Sequence, residues 1–276
     1  MTRLNRIRLA LARPLLWYLS AVGTTRGKGF IKRRVLPAIL PQPPASFIVH
    51  RPGGTKVRLH YREILGIAAL VSGGFEDAEC QRMLELALPG TFAIDVGANI
   101  GIHAIPLAAR LAPGRLIAIE PVGANARRLL ANASLNALEN IDLHVIAAGS
   151  NAGRIHLHLA RDAAFTSAGQ VVESRDVASS IEVELMQLDT LWEGAGQPLV
   201  SLIKIDVEGY EAAVIRGAAR LLSKERPAIV AEANTAMALR ELECTLGEYG
   251  YVRSPAEGFE PWNHLFLPRL SDLAKA

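Results

Sequence analysis

The run at residues 91–101, TFAIDVGANIG, narrows what this chain can be more than any other stretch. Phe92, Ala93 and Ile94 are apolar on both faces and too few for a helix, which predicts a short strand buried inside a parallel sheet. An acid is out of place in such a strand, so Asp95 is expected to mark its end and the start of a polar pocket. Gly97 and Gly101 bracket a tight turn, where the missing Cβ permits positive φ and lets backbone N–H groups approach a ligand. A helix follows. Strand, glycine turn and helix together make the first unit of a doubly wound α/β fold, whose ligands bind beyond the carboxyl ends of the strands.

A second strand at residues 115–119 ends in Glu120. A carboxylate roughly 20 residues beyond the glycines commonly hydrogen-bonds a ribose. Pro121 turns the chain away, and an apolar adenine slot is expected near Val122 and Ala147–Ala148. The glycine pattern is DxGxxxG and not the dinucleotide GxGxxG, with an acid ahead of the first glycine. Beside a pyrophosphate Asp95 would be repulsive; beside the sulfonium and ammonium of S-adenosylmethionine it is favourable. Asp95, Gly97, Ala98, Asn99 and Gly101 are therefore read as the cradle for the methionine end of that donor, and NAD is disfavoured.

The motifs DVGANIG, IEP at residues 119–121, LDTL at 188–191 and KIDVEGYE at 204–211 resemble, in order and separation, the FkbM-type family of S-adenosylmethionine-dependent methyltransferases. The likeness covers about residues 47–267. It implies a Rossmann-like class I methyltransferase fold, a seven-stranded and mostly parallel sheet with an antiparallel last strand, and methyl transfer to a hydroxyl oxygen. It does not choose among small-molecule, glycan and lipid-linked acceptors.

Charge divides the chain. Residues 1–62 carry thirteen Lys or Arg and no acid, while the remainder is acidic. Residues 1–44 are read as a basic helical leader ending in a proline-rich linker, and residues 45–276 as the methyltransferase domain. Leu4, Ile7, Leu11, Leu15, Tyr18, Leu19 and Val22 recur at helical spacing, with Pro14 as a kink. That segment either packs on the domain, makes weak peripheral contact with an anionic membrane surface, or holds an anionic substrate. A chain beginning near Ser46 is expected to fold. No run reaches the length needed to cross a bilayer. Two cysteines, Cys80 and Cys244, give neither a disulfide framework nor a zinc cluster, which favours a cytoplasmic protein.

Along the rest of the chain, residues 46–50 and 55–60 read as a hairpin outside the parallel core. Residues 76–88 and 124–138 read as helices, and 141–147 as the third core strand. His156 and His158 lie in an alternating strand that pairs with 181–188 across a polar loop at 161–180, an insertion of the kind that forms lids or binding loops. Residues 199–205 form the fourth core strand, ending in Asp206. A helix at 210–223, a strand at 228–231 ending in Glu232, a helix at 236–249 and a final antiparallel pair complete the fold.

At the reacting end the candidates are Asp206, Glu208 and Glu232. Methyl transfer is an in-line displacement, helped by holding the acceptor oxygen against the methyl carbon and by a base that takes its proton. Asp206 is read as orienting the donor's ammonium or the acceptor, Glu208 as the base or as a cap for the following helix, and Glu232 as the next candidate. His103 is placed at a helix start, packed or facing the cleft. His156 and His158 share a strand face without a third ligand, so no metal site is assigned, and Ser179 and Ser180 are read as turn or ligand contacts. Two competing readings are a non-catalytic donor-binding adaptor, opposed by the intact acids, and a nucleic-acid methyltransferase. The latter is disfavoured because DVEGYE stands where enzymes that methylate base amino groups carry an Asn/Asp-Pro-Pro-aromatic run.

Overall fold

A computed structural model describes residues 3–20, 35–40, 45–61, 63–72, 75–160, 166–167 and 177–269. Its centre is a sheet of seven strands. Five run parallel: β3 (Phe92–Val96), β4 (Leu116–Ile119), β5 (Ile141–His144), β10 (Val200–Ile205) and β11 (Ala228–Glu232). From one edge the order is β5, β4, β3, β10, β11. Two further strands, β13 (Asn263–Pro268) and β12 (Tyr251–Ser254), close the other edge, with β13 antiparallel to both its neighbours. The chain runs outward from β3 through β4 to β5, then returns to the other side of β3 as β10. That reversal opens a crevice at the carboxyl ends of β3 and β10, where open α/β sheets bind ligands.

Side chains on a strand alternate faces, and this sheet is buried on both. Ile94, Val96, Ile203, Ile205 and Ile229 belong to one core cluster, with Trp192, Val214 and Leu221. Ala93, Ala118, Leu202 and Val230 belong to the other. This second face is covered by α4 (Asp77–Leu86), α5 (Ala104–Leu111) and α6 (Gly123–Leu135), which contribute Met83, Leu107 and Leu129. The period of two also decides where the charges go. Asp95 follows Ala93 on that face, Lys204 follows Leu202, and register pairs Asp95 with Lys204.

Several boundaries differ from the sequence reading, each for a local reason. Asp95 lies within β3, one residue before its end, because β10 and β4 still pair with the strand at Val96. The third core strand stops at His144. Beyond Ile119, β4 offers no further strand partner, so Ala147–Ala148 (β6) joins a separate four-stranded sheet through β9 (Val177–Met186). That sheet contains the expected insertion, β7 (Gly153–Ala160) antiparallel to β9, with a short β8 (Thr166–Ser167) on β7. The rest of the loop at 161–180 falls at 161–165 and 168–176, outside the described residues.

The helix expected at 210–223 is two helices, α8 (Glu211–Arg216) and α9 (Ala219–Glu225). They separate at Gly217, where a Cβ would lie 2.1 Å from the Gly149 carbonyl oxygen. Asp189, in α7 (Leu188–Gly194), then caps α9 by accepting the backbone N–H groups of Arg220 and Leu221 at 3.0 and 2.9 Å. This accounts physically for the aspartate of the LDTL run.

The hairpin of β1 (Ser46–His50) and β2 (Lys56–His60) stands apart from the main sheet, as expected. Asn132 of α6 and Asn136, just past its end, accept the backbone N–H groups of Arg58 and Lys56. The sequence reading did not include the helix α3 (Ile64–Ser72). The leader helix α1 (Arg3–Ser20) packs on α3, burying Ala12 and Leu19 in a cluster with Tyr61, Ile67 and Val71. Leu4, Ile7 and Leu11 remain exposed on another face. No helix of the described residues is long and apolar enough to cross a membrane. The linker prolines at 41–44 lie outside those residues.

Apolar packing thus joins the two sides of residue 44. Removing residues 1–44 uncovers Tyr61, Ile67 and Val71, and is expected to cost about 2–4 kcal/mol by the scale of large apolar burials. Urea unfolding of the shortened and full chains measures this, and equal midpoints would show that the helix adds nothing.

Candidate functional site

The crevice at the carboxyl ends of β3 and β10 is a cavity of about 420 Å³, within the range of small-molecule sites. Asp95, Gly97, Ala98, Asn99, Glu120, Pro121, Ala147, Ala148, Asp206, Glu208 and Glu232 all line it. Sequence reasoning named each of these. Gly101 and Val122, also named, are not among the residues that form its wall.

The turn after β3 is built from positive φ at Gly97 (84°), Asn99 (50°) and Gly101 (90°). Only glycine fits the first position, since a Cβ there would lie 1.9 Å from the Asp206 carbonyl oxygen. Its role is therefore to let the ends of β3 and β10 meet. Four of the turn's five N–H groups, which the sequence had suggested would face a ligand, are spent within the protein. Gly97 and Ala98 both donate to the Ile119 carbonyl, Gly101 donates to that of Ala98, and Asn99 donates to Glu120 Oε2 at 2.9 Å. Gly101 faces the core, where a Cβ would crowd Ile105 and Leu129.

Glu120 is buried and also accepts from the Val122 N–H and the Asn125 amide. Burial raises its pKa to about 7 against the pull of those donors. Val122 thus acts on the site through Glu120.

Asp95 is 1% exposed, and neither carboxylate oxygen has a hydrogen-bond partner among the described residues. Burial raises its pKa while Lys204 opposes the rise. Lys204 is itself buried, one residue before the end of a largely apolar strand, with Nζ 3.0 Å from Asp206 Oδ2. Burial disfavours its charge, but Asp206, Asp95 and Glu76 outweigh burial and hold its pKa above the ordinary lysine range.

Around Asp206 the carboxylates crowd. Oxygens of Asp206, Glu208 and Glu232 lie within 4.8 Å of one another, and so do ligand atoms of Glu76, Glu79 and His103; among the described residues these are the two groups able to hold a cation. Like charges this close cannot all ionise. Burial resists the ionisation of Asp206, yet Lys204 and a hydrogen bond from Glu232 bring its pKa below the usual carboxylate value. Burial and the Asp206 charge push Glu232 up to about 9. Burial and the same charge raise Glu208 to about 7. At neutral pH Glu232 keeps its proton, and Glu208 is poised to take one. Glu208 sits at φ 55°, a sparsely populated conformation for a residue with a side chain. The turn that holds it is tied by Glu211, the first residue of the next helix, which accepts the N–H groups of Val207 and Gly209.

His103 is buried at the start of α5 and lines the cavity, so it is both packed and turned toward the cleft. Its Nε2 lies 2.9 Å from Glu76 Oε2. His156 is exposed on β7 beside Glu182, and His158 pairs in register with Ser180. The Ser179 side chain lies outside the described residues.

Sequence reasoning missed Glu76, Glu79 and Lys204, together with the apolar walls supplied by Leu65, Phe75, Ile155, Leu157 and Trp262. Lys204 left a signal, a lone cation in an otherwise apolar strand. The others left none, because distant elements bring them in.

The family described as Methyltransferase FkbM domain matches residues 95–253, more than half of the chain. Among solved structures, an FkbM methyltransferase from Methylobacillus flagellatus is similar at 18% identity and a TM-score of 0.43, over 73% of this chain and 52% of that one. The chain thus spans about half the length of that protein. M. jannaschii TYW2 in complex with AdoMet is similar at 16% identity and a TM-score of 0.46, over 83% of this chain and 90% of its own. An O-methyltransferase from Thermotoga maritima, described as SAM-dependent, is similar at 14% identity and a TM-score of 0.44, over 80% and 76%. No curated protein matches the chain.

Removing the buried cation should leave Asp95 and Asp206 uncompensated. Lys204→Met is expected to destabilise the fold by about 3 kcal/mol, the low end for a broken buried pair because Asp206 opens to the cavity. Adding Asp206→Asn should restore part of that loss. Equilibrium unfolding of the two single variants and the double variant reads the coupling, and additive losses would disprove it.

Proposed function

The chain belongs to the FkbM methyltransferase family, and on that premise we propose that it moves the methyl group of S-adenosylmethionine to a hydroxyl oxygen of a small-molecule, glycan or lipid-linked acceptor. The observation that carries the donor is Asp95. A fully buried carboxylate with no hydrogen-bond partner, on the wall of a cavity, calls for a cationic ligand. Glu120 at the neighbouring strand end suits the ribose. Three donors occupy it, and a carboxylate has about four acceptor sites, so it can still take a hydroxyl. Pro121 and Ala147–Ala148 supply the apolar wall for the base. These residues fit the donor, which when bound supplies an electrophilic methyl group on a cationic sulfur.

On the acceptor side the chain's own groups divide the work. Glu208 takes the hydroxyl proton as the oxygen–carbon bond forms and the carbon–sulfur bond breaks, with the bonding pair leaving on sulfur. Its pKa of about 7 makes it an effective base at neutral pH. Glu232, protonated and hydrogen-bonded to Asp206, serves as a donor and not as a base. Asp206, fixed by Lys204, holds both neighbours at their separate protonation states. Tyr210 and Trp262 add aromatic surface to the same cavity.

The purified protein is expected to bind S-adenosylmethionine and S-adenosylhomocysteine in calorimetry and to ignore NAD. Glu120→Ala should weaken that binding about tenfold or more, the scale of a lost charged hydrogen bond. Unchanged affinity would remove the ribose assignment.

With acceptor in hand, Glu208→Gln should cut turnover by roughly 10²–10⁴, the range of general-base catalysis, with donor affinity little changed. The wild-type rate should rise with pH through about 7 as Glu208 loses its proton. Turnover is expected to survive EDTA, because a donor that is already cationic needs no Lewis acid to activate its leaving group. Full activity of Glu208→Gln, or loss with EDTA and rescue by Mg²⁺, would reassign these roles.

A further inference from the structure

Glu76 stands where the sequence gave no reason to look. It immediately precedes α4, with φ 51°, and lines the cavity. A residue with a side chain in that left-handed conformation is strained and persists only where its surroundings hold it. Two contacts do so. Arg51, 4% exposed, ties the segment down by donating to the Phe75 carbonyl oxygen and pairing with Asp77. His103 Nε2, 2.9 Å from Glu76 Oε2, ties the carboxylate itself.

His103 belongs to the glycine turn, two residues past Gly101. Glu76 is thereby fixed to the donor's side of the cavity, while Glu208 and Glu232 ride on the ends of β10 and β11. The Glu76 side chain is 14% exposed, and at ion-pair distance its partner among the described residues is a histidine and not a lysine or arginine. That histidine is neutral at physiological pH. Burial, and then the Lys204 charge, lower its pKa to about 4. The two cations nearby are engaged elsewhere, Lys204 with Asp206 and Arg51 with Asp77. Asp206 was the other candidate for the donor's ammonium, but it already shares Lys204 and the Glu232 proton.

We infer that Glu76, held in place by His103, is the anion that receives the α-ammonium group of the donor's methionine moiety. This assignment rests on the S-adenosylmethionine reading and deepens it. Glu76 contacts the donor directly. His103 is a positioning residue that acts through the carboxylate, and Glu79, fully buried behind them with Oε2 accepting from Asn263, closes the back of the group.

The pH dependence follows from the groups that face Glu76. Burial lifts its pKa to about 7, Lys204 and Arg51 oppose the rise and Asp206 adds to it. A cationic partner prefers the ionised carboxylate, so affinity for a ligand carrying the ammonium should increase as pH rises through that value.

The test compares S-adenosylhomocysteine with 5′-methylthioadenosine, which keeps the adenosine and the thioether but lacks the amino-acid end. Calorimetry on the full chain should show Glu76→Gln weakening S-adenosylhomocysteine about tenfold or more, the scale of a charge-assisted hydrogen bond. Binding of 5′-methylthioadenosine should stay within about twofold on the same scale. His103→Gln should shift both ligands in the same pattern with smaller amplitude. Wild-type protein, which needs no variant to fold, should gain several-fold more affinity for S-adenosylhomocysteine than for 5′-methylthioadenosine between pH 6 and pH 7.5, because Glu120 at the ribose titrates for both ligands and Glu76 for the first alone. Equal losses for the two ligands in Glu76→Gln, unchanged S-adenosylhomocysteine affinity, or an equal wild-type pH dependence for the two ligands would each overturn the assignment. If wild-type protein binds neither ligand, the donor reading itself fails, and this assignment with it.

Discussion

One ammonium group organises the polar end of this molecule. Lys204 lies near the carboxyl end of a largely apolar strand, opposite Asp95 in register and 3.0 Å from Asp206. A lone buried charge costs several kcal/mol after relaxation, so the cation is tolerable only because carboxylates surround it. The reverse holds equally. Asp95 and Asp206 remain in a sheet that is otherwise hydrocarbon because Lys204 stands between them. Period-two alternation places all this on one face, directly beyond the layer of Ala93, Leu202 and Val230.

From that arrangement comes a graded series of acids. Asp206 gains most from the cation and ionises readily, and its charge raises Glu208 and Glu232 to different heights. Carboxyl groups of nearly equal intrinsic strength thereby become an anion, a poised base and a proton donor. Environments that drive like groups apart are how a site obtains several roles from one residue type. The strain stored at Glu208 and Glu76, each at positive φ, lies at the cavity wall on opposite sides of this group.

The fold was legible wherever it depended on local pattern. Short apolar runs at 92–94 and 199–205, closed by acids and glycines, marked the parallel strands, and the alternation of RIHLHL marked an antiparallel insertion. Cavity residues on strand ends were legible for the same reason, because a strand end points where its sheet directs it. The expected helix at 210–223 was not. Its break is set by the approach of Gly149 to Gly217 and by a cap from Asp189, neither of which is visible within the helix. Val122 and Gly101 were placed at the ligand by their position near the motifs. Where they come to lie depends on tertiary contacts: Gly101 packs against Ile105 and Leu129, and the Val122 N–H donates to Glu120.

By itself, then, the sequence determined the order of strands, the glycine turn, the acids at the carboxyl ends and the family to which the motifs belong. Each of these is encoded within a few residues, through hydrophobic period and backbone permissiveness. Only the tertiary structure decided which acids share a proton, that most of the turn's N–H groups are spent internally, that the leader helix packs on α3, and that Glu76 meets His103. These depend on distances between elements far apart in the chain. The ionisation of a carboxyl group depends on every charge and every desolvating neighbour within several ångströms, which no local run of residues specifies.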